Sequence, residues 1–167
     1  MEITLATPRE FSFKRTIISH GWCQLLPFKI DDEKWQLTRT LDLQDASPLT
    51  ITISATRRAL VIKMSRRLNQ AATKRVVADV RHMLRLDDNI TAFYRLLVAD
   101  NDFNWIPTQG AGRLLRSPTV FEDLVKMICT TNCSWRSRKR WSRAWWRTWD
   151  VNRVTATERF PRLKPWH

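Results

Sequence analysis

The sequence predicts an α+β fold, a small antiparallel sheet domain followed by helices. Two observations carry this. Three stretches between residues 35 and 63 alternate apolar with polar side chains, the period of strands that bury one face. From residue 66 onward the apolar residues recur at three and four instead, the period of amphipathic helices, in three further stretches. Strands in a run and then helices in a run is the order of α+β domains.

The first thirty residues are less regular. Phe11 and Phe13 alternate with polar neighbours and predict a short strand or extended arm. Ser19-His20-Gly21-Trp22 follows as a turn or short helix that stops at Pro27. His20 is a candidate functional group, although beside Gly and Trp a structural or surface role is the commoner one. Trp35, Leu37, Leu41 and Leu43 then alternate with Gln36, Thr38, Thr40 and Asp42, with Arg39 breaking the apolar face. Ala46-Ser47-Pro48 marks a turn, and Leu49, Ile51 and Ile53 trace a second strand. Thr56 to Arg58 connects it to a third, over 59–63. Strands this close form an antiparallel meander with one wet face.

The helical stretches begin at 66–86, where Leu68, Ala72, Val76, Val80, Met83 and Leu84 form one stripe. Arg66, Arg67, Lys74, Arg75, Arg81 and Arg85 fall mostly off it. A solvated basic face explains them more simply than a DNA-facing one. Asp87-Asp88-Asn89 supplies caps for a helix carrying Ile90, Phe93, Tyr94 and Leu97, which ends at 101–104 before a loop over 106–110. Two start signals then overlap. Ser117 precedes Pro118, and Thr119 with Glu122 fits a capping box that also explains Asp123. Phe121, Leu124, Val125 and Ile128 predict a buried apolar face, and residues 130–134 a polar tip.

Composition narrows the classes. Apolar residues make up 43% of the 167, with 3 Gly and 7 Pro, enough for a core and unlike a disordered chain. No run of about 18 uncharged apolar residues exists, so no membrane span is expected. The N-terminus lacks a basic-then-apolar signal pattern, which predicts an intracellular, cytoplasmic protein. Cys23, Cys129 and Cys133 offer no paired metal-ligand spacing, so neither a metal nor a cofactor is expected. The net charge of +13 suits nucleic acid, but its distribution is uneven. Residues 1–135 hold 19 basic and 14 acidic side chains, whereas 136–167 hold 10 and 2.

Several phrases are more specific than their periodicity. Arg113-Leu-Leu-Arg116, the PTVFEDLVK run, the ICTTNCSW end and the earlier F-x-F…SHGW…PF wording resemble the helix–hairpin–helix DNA glycosylases. They look closest to bacterial 3-methyladenine glycosylase-like proteins and the related 8-oxoguanine branch. The resemblance covers residues from about 10 to 135 and implies a sheet domain with flanking helix over 1–85 and the start of a helical glycosylase domain over 86–135. It also implies duplex DNA as partner, a nucleoid-associated monomer, no small-molecule cofactor, and excision of alkylated or oxidised bases. An Asn at this helix end enters the duplex in the 8-oxoguanine branch. Asn132 matches that position, and Thr131 and Arg116 join it as DNA-binding candidates. The family's hairpin and catalytic Asp lie well downstream, so no residue here is assigned as catalytic.

After Trp135 the character changes. Residues 136–167 hold five of the nine tryptophans, with Trp141, Trp145 and Trp149 every four residues and Arg and Lys between them. Three readings compete: a tail that stacks on bases and contacts phosphates, an amphipathic membrane-surface helix, or a reading frame other than the ancestral one. The genetic code favours the third. Written as degenerate codons and read one nucleotide back, the tail permits SW-AQSKK-MVSxLVENLGR-KPGDGDRAFPTPE. That is an amphipathic helix, a Gly stop and an F-P-T-P loop, the continuation the resemblance implies. A frame change just after Trp135 is therefore expected, with a chain truncated before the hairpin and unable to cleave glycosidic bonds. An incomplete helical domain also predicts poor solubility.

Overall fold

The computed structural model describes residues 1–43 and 47–131. The five strands are β1 (Glu2–Ala6), β2 (Lys29–Asp31), β3 (Gln36–Leu41), β4 (Leu49–Ala55) and β5 (Ala59–Met64). They form one antiparallel sheet in the order β1-β5-β4-β3-β2. The three predicted strands are its centre, and the α+β expectation holds. Leu37, Leu41, Leu49, Ile51, Ile53, Leu60, Ile62 and Met64 all point to the core. The opposite face carries threonine pairs: the hydroxyls of Thr38 and Thr52 lie 3.0 Å apart and those of Thr40 and Thr50 3.3 Å apart.

The edges differ from expectation. The alternating Phe11 and Phe13 do not make a strand. Ser12 instead caps a short helix, α1 (Phe13–Ile17), its side chain accepting from the Arg15 N–H. The edge strand comes from residues 2–6, in register with β5 from Glu2 opposite Lys63 to Ala6 opposite Ala59. Trp22–Gln24 is a single 3-10 turn. Trp35 does not begin β3; it sits in the β2–β3 turn at φ 50°.

α2 (Gln70–Met83) starts later than its stripe suggests, because Asn69 caps it by accepting from the Ala72 N–H at 2.8 Å. Val76, Val80 and Met83 pack it onto the sheet. α3 (Thr91–Val98) and a one-turn α4 (Trp105–Thr108) follow, the latter where a loop was expected. Asn89 accepts from the Thr91 N–H at the start of α3, but Asp87 and Asp88 pair with Arg81 and Arg85 rather than capping it. Leu115 brings the last extended segment back into the core before α5 (Val120–Thr130).

Gly110 is the joint that lets this return happen. Its φ is +62°, and a Cβ there would sit 2.4 Å from the Glu10 carbonyl oxygen. Gly110→Ala is expected to destabilise by about 2–4 kcal/mol, from left-handed strain plus the backbone displacement that the clash forces. A denaturant midpoint equal to that of the unsubstituted chain would show that this approach is not rigid.

Candidate nucleic-acid interface

The two motifs of the resemblance meet in space. Ser19 accepts from the Leu115 N–H at 3.1 Å, and its hydroxyl lies 2.9 Å from His20 Nδ1. The His20 ring stacks on Trp22 with centroids 4.5 Å apart. Trp22 Nε1 donates to Asp123 at 2.9 Å, and the same carboxylate oxygen accepts from the Ser117 N–H at 2.9 Å. The Ser19–Trp22 motif is thus joined to the front of α5. Partial burial lowers the His20 pKa, with Asp123 opposing that and Lys126 reinforcing it.

At the start of α5 only half of the capping box forms. Thr119 accepts from the Glu122 N–H at 3.3 Å, so Thr119 and not Ser117 is the cap. The Glu122 carboxylate does not reach back. One oxygen accepts from Arg39 Nη2 at 2.9 Å and the other from Lys126 Nζ at 2.6 Å. Lys126 also donates to Ser117 Oγ at 3.0 Å, and both cations lie 4.6 Å from the Phe28 ring centroid. Arg39, Glu122 and Lys126 are all buried.

This reverses the expected orientation of α5. Glu122, Lys126 and Thr130 face inward, whereas Val120, Phe121, Leu124, Met127 and Ile128 are each more than half exposed. The cause lies in β3. Arg39 occupies an inward strand position, and a buried guanidinium requires an opposite charge. The helix supplies it from the face bearing Glu122 and Lys126, four residues apart.

Burial raises the Glu122 carboxyl, but Arg39 and Lys126 more than offset it and hold the pKa below the usual value. For Lys126, burial outweighs the neighbouring carboxylate and lowers its pKa. A depressed folded carboxyl stabilises above the unfolded value of about 4.5 and loses that contribution as pH falls through the folded value. The stability gap between the unsubstituted chain and Glu122→Gln is therefore expected to narrow below about pH 4.5. Melting midpoints of both across pH 3–7 check this, and a constant gap would refute it.

Two of the three DNA-binding candidates, Arg116 and Thr131, are among the described residues. Arg116 donates its backbone N–H to Met83 at 2.9 Å and lines a cleft beside the end of α2. Thr131 caps the far end of α5, its hydroxyl donating to the Ile128 carbonyl at 2.8 Å. Arg116 precedes α5 and Thr131 follows it, with a helix about 16 Å long by its rise per residue between them. Asn132 falls outside the described residues, as do Cys133 and the tail. Among the described residues no group of His, Cys, Asp or Glu suits a metal, and no helix is long and apolar enough to cross a membrane.

No protein-family model matches the chain, and no match is found among curated proteins. Among solved structures the chain is similar to a 3-methyladenine DNA-glycosylase from Archaeoglobus fulgidus, with a TM-score of 0.59 and 18% identity. The match covers 85% of this chain and 48% of the other, so the chain spans about half the length of that enzyme. The fold of the chain is thus a DNA glycosylase-like fold.

Proposed function

We propose that this chain derives from a DNA-repair N-glycosylase of the helix–hairpin–helix family, acting on alkylated or oxidised bases in duplex DNA. The observation that carries the reading is the glycosylase-like fold over 85% of the chain. The union of the Ser19–Trp22 motif with Asp123 of α5 supports it. Asn132, next in the chain after the Thr131 cap, is the residue proposed to enter the duplex, with Thr131 beside it and Arg116 on a phosphate. Such enzymes flip the damaged base out of the stack and rely on a carboxylate to stabilise positive charge on the sugar.

The 167-residue chain is proposed not to perform that chemistry. Glu122 is committed to two cations, and Asp123 accepts from Trp22 and Ser117, so neither is available to a substrate. The codon pattern after Trp135 supports a changed frame. The test is a base-release assay on duplexes carrying an alkylated purine or 8-oxoguanine, run with this chain and with the product of a gene whose frame is restored after Trp135. Release is expected only from the restored product. Release by the 167-residue chain would refute its inactivity, and failure of the restored product on every lesion would refute the family reading.

The basic tail favours a second reading, a non-catalytic nucleic-acid binder. It predicts salt-dependent duplex binding that disappears on deleting 136–167, and unchanged affinity after deletion would sink it.

A further inference from the structure

Four arginines converge on the turn that follows α2. Arg81 pairs with Asp87 and Arg85 with Asp88. Arg113 is buried and donates from Nε to the Arg85 carbonyl at 3.1 Å and from Nη2 to the Asp88 carbonyl at 3.0 Å. Its remaining Nη1 is buried with no hydrogen-bond partner among the described residues. Arg116 is anchored through its backbone, and its guanidinium meets no carboxylate among the described residues. Arg81, His82, Arg85, Asp87, Asp88 and Arg116 line one cleft of about 230 Å³.

A helix C-terminus attracts cations, and that accounts for Arg81 and Arg85 at the end of α2. It does not account for the others. Two carboxylates answer two of the three arginines that line the cleft, which leaves Arg116 without a carboxylate among the described residues. Asp87 and Asp88 also fix the forks of Arg81 and Arg85, which lowers the entropy cost of engaging a ligand.

We propose that this cleft binds a phosphate group, with Arg116 as the uncommitted fork and Arg81 and Arg85 as the pre-set ones. Phosphate matches the planar guanidinium donors, and the cleft is open to solvent on the surface of the domain. The group can come from a nucleic-acid backbone or from free phosphate. The backbone source rests on the proposed function; the cleft itself does not.

The test uses the full chain and Arg116→Gln, which removes the charge from a side chain with no described contact to lose. Inorganic phosphate is titrated by calorimetry at constant ionic strength, and duplex affinity is measured by fluorescence anisotropy across a salt series. Arg116→Gln is expected to weaken phosphate binding about tenfold and to make the slope of log affinity against log salt shallower by about 1. Loss of phosphate binding with an unchanged duplex slope would support the cleft and assign it to free phosphate. No change in either measurement would overturn the proposal. Absence of duplex binding by the unsubstituted chain would overturn the backbone source alone, while the phosphate titration would still decide the cleft.

Discussion

Glu122→Ala is expected to destabilise the folded chain by about 3–5 kcal/mol, the range for removing one member of a buried ionic cluster. The cost is not the lost attraction alone. Without the carboxylate, Arg39 and Lys126 become two like charges at the same buried site, each against the Phe28 ring. Asp79 of α2 lies within electrostatic reach of Arg39 and is itself raised by burial, with Arg75, Arg39 and His82 opposing that shift. It offsets part of the loss and sets the effect nearer the lower bound. Urea denaturation followed by tryptophan fluorescence measures the change, and a loss below about 1 kcal/mol would show that α5 is held by something other than this cluster.

A companion substitution separates charge pairing from packing. Arg39→Met, Glu122→Leu and Lys126→Met together replace the cluster with apolar groups of similar volume. Such replacements are often neutral or stabilising by about 1–4 kcal/mol, because desolvation of three charges is no longer required. The triple variant is therefore expected to melt at or above the unsubstituted chain, where Glu122→Ala alone melts far below it. The difference would identify the ionic cluster as a device that specifies how α5 docks rather than one that maximises stability.

The contrast between strands and α5 explains what was legible in the sequence. The central strands announce themselves because each buried residue in β4 and β5 is apolar and every second position is inward. β2 has three residues, too few for a period, and β1 is recognisable only beside its partner, since five residues with exposed ends carry little pattern. The helix over 120–130 was legible from Thr119 and its apolar spacing, but its facing was not. Its burial is decided by Arg39, 83 residues earlier in the chain. The signal was present as the one break in the β3 alternation: an inward Arg calls for a carboxylate, and Glu122 with Lys126 four residues on is a candidate partner. For the interface, the phrase holding Ser19 to Trp22 was legible as a motif, whereas its bond to Asp123 and the convergence of four arginines depend on tertiary folding.

The outward face of α5 gives the second large expected effect. Val120, Leu124, Met127 and Ile128 are more than half exposed on one helix, a run of large apolar side chains that favours association in water. The unsubstituted chain is therefore expected to self-associate as its concentration rises, contrary to a monomer expected from the family resemblance. Leu124→Glu with Ile128→Lys places an oppositely charged pair at the spacing helices tolerate best. Full burial of a Leu or Ile is worth about 1.5–3 kcal/mol, and Leu124 and Ile128 are 52% and 63% exposed, so removing both is expected to weaken association by about tenfold or more. Stability should fall much less than in Glu122→Ala, because more than half of each side chain is exposed and the inward cluster is untouched. Sedimentation velocity across a concentration series reads the association, and thermal melting reads the fold. A monodisperse unsubstituted chain would show that the apolar face is covered in solution. A sharp fall in the melting point of the double variant would show that what covers it belongs to the same chain.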